Sequence, residues 1–166
     1  MELSLFDAVG EALRGLVPPN LGDVRHRAHR YGVKAWFGDG RPAREHYEAQ
    51  VLGAQYVDGA THLALEVGFH AEHPDVADNE AVLAVLLRDE RRWRRTIGAE
   101  AAAGPFLGRA EHWRRVSETW PDPDLDDPEL AIEIAARLTD YMTALEPHLR
   151  RRGDTRTAAP RPSRPA

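Results

Sequence analysis

The chain contains no cysteine, which excludes disulfides, thiolate metal ligands and thiol nucleophiles. Lysine is nearly as scarce. Lys34 stands alone against 21 arginines, and no Glu-x-Lys occurs, so a nuclease built on paired carboxylates and a lysine has no candidate. Serine is limited to Ser4, Ser117 and Ser163, none with a histidine at an obvious partner position. G-x-G-x-x-G, G-x-x-x-x-G-K-[ST], G-x-S-x-G and H-E-x-x-H are all missing, which removes the common nucleotide, serine-hydrolase and zinc-protease signatures. Long apolar runs are lacking too. The longest, residues 81–87, falls far short of the ~20 residues that cross a bilayer. Residues 1–7 show no basic segment leading into an apolar one. The expectation is a soluble cytoplasmic protein without a membrane partner.

What is present is 166 residues, enough for one domain. Leu, Ile, Val and Phe make up about a fifth of the chain, just above the level at which chains stop burying enough to fold. None of them lies beyond Leu149. Residues 150–166 carry six arginines and one aspartate, so the formal charge of −5 hides a strongly acidic body. The reading is a single domain over 1–150 and a disordered Arg/Pro-rich tail over 151–166. The acidic body argues against nucleic-acid binding across the whole surface.

Phe6, Val9, Leu13 and Leu16 recur at helical spacing, with Ser4 and Asp7 as a cap pair and Pro18-Pro19 as the stop. Three strands follow. One lies around 31–37, one around 45–52 and one around 63–70, where Leu63, Leu65, Val67 and Phe69 alternate with Ala64, Glu66, Gly68 and His70. Asp39-Gly40 with Pro42 and Asp58-Gly59 mark the turns between them. Asp78 or Asn79 caps a second helix reaching to Ile97, with Gly98 beyond it. Residues 99–111 are ambiguous, with a short strand starting at Pro105. Residues 112–120 read as a strand, and Asp127-Pro128 opens a last helix with the stripe Leu130, Ile134, Leu138, Tyr141, Leu145, Leu149.

The expected fold is α+β: an antiparallel sheet of four or five strands, a meander plus later strands, with three helices packed on one face in the order α-βββ-α-(β)β-α. In element order and acidic charge the chain resembles the type III secretion chaperone-like fold. That resemblance implies a small, often dimeric binding protein.

Function candidates lie on the expected solvated sheet face, which gathers Lys34, Trp36, His46, Glu48, Gln50, Glu66, His70 and Glu72. Glu48 stands opposite His70 or opposite Gly68, depending on register. A carboxylate beside an imidazole is a usable acid–base pair, and ordinary cross-strand charge pairing is the alternative. His70, Glu72 and His73 form the densest metal-ligand cluster, while Glu66 and His70 sit roughly 13 Å apart along an extended strand, too far to share one ion. H-x-E without a following P-C-x-x-C is not a zinc-deaminase site. Glu90 falls inside the apolar arc of the second helix and pairs with Arg94, Arg114 or Arg115, or serves catalysis. Arg88, Arg91, Arg92 and Arg95 form a basic stripe fit for phosphate or single-stranded nucleic acid, although Trp93 among them belongs to the core. Tyr141 is a core residue.

The leading expectation is a non-enzymatic module that binds a protein or peptide partner through Trp36, Lys34 and Glu48, as a homodimer and with no cofactor. The alternatives are a hydrolase or lyase using Glu48, His70, Glu66 or Glu90, and an anion-binding protein using the arginine stripe.

Overall fold

Ser4 accepts a hydrogen bond from the Asp7 backbone and starts helix α1, Leu5–Leu16, whose Phe6, Val9 and Leu13 are buried. The computed structural model describes residues 4–39, 43–108 and 110–158. Strands β1 (Val24–His29), β2 (Gly32–Phe37), β3 (Glu45–Gly53) and β4 (Leu63–Ala71) follow. Next come helices α2 (Val76–Arg88) and α3 (Glu90–Ile97), strands β5 (Ala102–Pro105) and β6 (Arg114–Pro121), and helix α4 (Leu130–Ala158). The six strands form one antiparallel sheet in the order β1-β2-β3-β4-β6-β5.

The α+β class stands, with six strands and four helices in place of four or five and three. The extra strand is β1. Its sequence, Val-Arg-His-Arg-Ala-His, has a single large aliphatic residue, and as an edge strand it buries little, so the apolar signal is weak. Helix α1 lies close over it because Gly10 has no side chain; a Cβ there would run into the His26 ring. The expected second helix is two helices. It starts earlier, capped by Asp75, and breaks at Asp89 (φ −111°, ψ 25°) before resuming as α3. The wheel drawn through that break placed Glu90 in an apolar arc. Instead it sits in the first turn of α3, half-buried, with Arg94 Nε donating to its Oε1 at 2.8 Å. The same break splits the expected arginine stripe: Arg88 ends α2, while Arg91, Arg92 and Arg95 belong to α3, and all four are exposed. Asn79 is not a cap but a fully buried clamp. It accepts from the His73 backbone and donates to the carbonyls of His73 and His112.

Helix α4 carries the expected stripe, and Leu130, Ile134, Leu138, Tyr141 and Leu145 are buried against Val33, Ala35, Tyr47, Leu65, Val67, Phe69 and Val116. It runs past Arg150 to Ala158; positions 159–166 lie outside the described residues, as do 40–42 of the expected turn. Among the described residues no helix is long and apolar enough to cross a membrane.

On this helix face Glu118 is held by Arg137, whose Nε lies 3.0 Å from both carboxylate oxygens, and by Tyr141 Oη (3.0 Å) and Trp120 Nε1 (2.8 Å). Burial pushes the Glu118 carboxyl up, but hydrogen bonds from Arg137 and Trp120 outweigh it and hold the group below the usual carboxylate range.

Candidate functional site

The opposite face of the sheet was expected to be wet, and it is dry. His46, Glu48, Glu66, His70, Glu72 and Ser117 are all buried, and so is Trp36. Over His70 the cover comes from the connection between β5 and β6. Phe106 lies edge-on to the His70 ring at 4.7 Å, Trp113 packs on Phe106 at 5.3 Å, and the Phe106 N–H donates to the Trp113 carbonyl.

Strands β3 and β4 pair with His46 opposite His70 and Glu48 opposite Gly68, the second of the two registers open from sequence. Lys34 on β2 stands opposite Glu48. The side-chain period of two puts His46 and Glu48 on one face of β3, and His70 and Glu72 on the same face at the end of β4. Two His-x-Glu units thus meet about a local near-twofold centred on the histidine pair, and each glutamate reaches across to the other strand's histidine. Glu48 Oε2 is 2.9 Å from His70 Nδ1 and 3.1 Å from His46 Nε2; Glu72 Oε1 is 3.4 Å from His46 Nε2 and 3.6 Å from His70 Nδ1. The four ligand atoms lie within 4.8 Å of one another.

The outward nitrogens are tied down as well. His46 Nδ1 is 2.8 Å from the Ala43 carbonyl, and His70 Nε2 is 3.1 Å from Glu66 Oε1. Glu66 is held in turn by Gln50 Nε2 (2.8 Å) and Ser117 Oγ (2.7 Å), and Ser117 Oγ also accepts from Arg115. Each outer nitrogen thus has an acceptor for its N–H, and the inner nitrogen, which faces carboxylate oxygen, is the one that an ion would take in exchange for a proton.

The Glu66–His70 contact corrects the expectation from strand spacing. The two side chains meet, with His70 Nε2 3.1 Å from Glu66 Oε1. Gly68 lies between them on that face and offers no side chain to hold them apart; a Cβ there would collide with the Val116 carbonyl of β6.

Electrostatics follow from this packing. Burial raises the Glu48 carboxyl, but the two imidazoles outweigh it and bring the group down to about 2. Glu66 and Glu72 are also held low: burial opposes it, and His70 acts on both, joined at Glu72 by His46 and Lys34. Burial alone would lower His70, yet Glu66 and Glu48 outweigh it and raise the imidazole well above its ordinary value.

Of the sequence candidates, Glu48, His70, Glu72 and Lys34 converge, with Glu66 immediately behind them. His73 does not: it faces Glu45, 3.7 Å from its Oε1, on the other side of the strand. Glu90, Arg88, Arg91, Arg92 and Arg95 lie on the helices and take no part. His46 is the member of this cluster that the sequence shows only as one more polar residue of the sheet face. The signal that could have found it is the second His-x-Glu, His46-Tyr47-Glu48, which matches His70-Ala71-Glu72 on the neighbouring strand. No family model matches the chain, and no curated protein or solved structure matches it significantly.

Proposed function

We propose that this chain is a non-enzymatic metal-binding module whose divalent transition-metal ion is held by His46, Glu48, His70 and Glu72. The observation that carries the reading is the pairing of four convergent ligand atoms with two imidazoles whose outer nitrogens are already committed to acceptors. That outer arrangement is how metal-ligating histidines are oriented.

Size supports the same ion class. Ligands 2.0–2.1 Å from a tetrahedral centre stand about 3.3–3.4 Å apart, and the four histidine–glutamate separations are 2.9, 3.1, 3.4 and 3.6 Å. Calcium needs longer bonds and more oxygens, and magnesium prefers oxygen and water. Two imidazoles and two carboxylates suit zinc and its first-row neighbours. Among the described residues, the three buried carboxylates of Glu48, Glu66 and Glu72 face Lys34 and Arg115 as fixed cations, which leaves a negative charge for a cation or a proton to offset.

Protein purified without added chelator and analysed by elemental mass spectrometry should carry about one ion per chain. The His46→Ala/His70→Ala double variant should carry essentially none. Wild-type protein that takes up no Zn²⁺, Mn²⁺ or Co²⁺ after chelation and reloading would rule the reading out.

A second reading, general acid–base chemistry by Glu48 and His70 in a hydrolase or lyase, is favoured by their 2.9 Å contact. It requires a proton where the first places an ion, so metal stoichiometry separates the two. Trp36, one of the residues expected to dock a peptide, is buried.

A further inference from the structure

We infer that the centre takes a small oxyanion, a carboxylate or a phosphate, as an added ligand on its Lys34 side. This rests on the metal reading above, and three independent features support it.

The first is access. The His46, Glu48 and His70 side chains are at most 4% exposed and Glu72 is 10% exposed, whereas Lys34 is 26% exposed. The cluster therefore reaches solvent at an ammonium. Lys34 Nζ sits 2.9 Å from Glu72 Oε2 and 3.5 Å from Glu48 Oε2, beside the two carboxylates that bind the ion.

The second is charge. With a dication in place and both histidines neutral, the ion, Lys34 and Arg115 outweigh Glu48, Glu66 and Glu72 by one positive charge. An unbalanced charge in a site this buried is costly, and one monoanion cancels it.

The third is an unused donor. Trp36 follows Lys34 by two residues on the same face of β2, just past Ala35, which pairs with Tyr47. Its indole N–H is buried and has no hydrogen-bond partner among the described residues. Buried donors are almost always satisfied, and an oxyanion offers the missing acceptor alongside Lys34. A four-ligand zinc-type centre has room for this step, since such centres expand to five-coordinate.

The test loads the full-length protein with Co²⁺, whose visible bands report coordination number, and titrates acetate and inorganic phosphate separately at constant ionic strength, with chloride as control. The expected result is a saturable loss of tetrahedral band intensity with one or both anions; which anion acts identifies the ligand class. Lys34→Met, loaded in the same way, should bind that anion about 10-fold or more weakly, the loss expected for one charge-assisted hydrogen bond. Trp36→Phe should weaken it about 2- to 10-fold, as for a neutral one. Bound Co²⁺ with bands indifferent to both anions overturns the inference and leaves the metal reading intact. A saturable response that Lys34→Met leaves unchanged overturns its placement beside Lys34. Failure to take up Co²⁺ at all overturns the metal reading itself.

Discussion

Each face of the sheet buries a polar cluster, and the two are balanced in different ways. On the helix face, Glu118 meets the Arg137 guanidinium, a phenol and an indole N–H, so its charge and its acceptor sites are answered by the protein itself. On the other face, three carboxylates meet two imidazoles, one lysine and one arginine, and the inner imidazole nitrogens face carboxylate oxygens. Arginine stays charged at every relevant pH, whereas imidazole bonds a proton or a metal according to supply. The first cluster is a lock complete in itself. The second is complete only with something from solution.

The largest expected effect comes from taking that something away. Stripping the ion with EDTA should lower unfolding stability by about 4 kcal/mol relative to protein in free metal at a thousand times its dissociation constant. Urea melts read this directly. His46→Ala should abolish the EDTA response, and Glu118→Gln should retain it. An EDTA response in His46→Ala equal to that of wild type would erase the distinction between the clusters.

Next in size is the lock. Glu118→Gln leaves Arg137 without its counter-charge and should cost about 2–3 kcal/mol with metal or without it, measured by the shift of the denaturation midpoint at unchanged slope.

Smaller, and opposite in sign on its two arms, is the pH response of the chelated protein. Glu48 and Glu118 have lowered folded-state values, so their contribution is present above the ordinary carboxylate range. It is lost as pH falls through those values, which for Glu48 is about 2. His70 is raised. Its contribution is full below about 6.5 and is lost as pH rises through the folded value. The chelated wild type should therefore weaken on the alkaline side, and His70→Gln should flatten that arm and also shrink the acid one, because His70 helps to hold Glu48, Glu66 and Glu72 low. Stability measured across pH in the two proteins decides it.

Smallest of all is the half-exposed Glu90–Arg94 pair on α3. Glu90→Gln should cost less than about 0.5 kcal/mol in the same urea melts, a baseline for what a solvated ion pair contributes here.

The sequence was most readable where one face of an element is strictly apolar. Leu63 to Phe69 announced β4, and the stripe from Leu130 to Leu145 announced α4, because burial against a single neighbour leaves a clean period. It was least readable where a local break or a distant cover decides. Nothing near Asp89 distinguishes a kinked pair of helices from one straight helix. Nothing in β4 reveals that Phe106, backed by Trp113 some forty residues later, will pack over His70. Alternation of polar and apolar residues was read as wet against dry, when it separated two dry faces of different chemistry. The site was half legible: Glu48, His70 and Glu72 stood out by residue type. His46 needed the register, which sets it directly opposite His70.

All four proposed ligands belong to one hairpin, between residues 46 and 72, whose strands follow each other in the chain. The Glu48–His70 contact spans 22 residues, against 51 for Glu66–Ser117 and 99 for Tyr47–Glu146, so its loop closes at the smaller entropic cost. The ion therefore stabilises a unit that assembles before the long-range docking of β6 and α4. Its benefit should appear in the rate at which the chain folds more than in the rate at which it comes apart. Loading with metal then moves the refolding limb of a chevron plot.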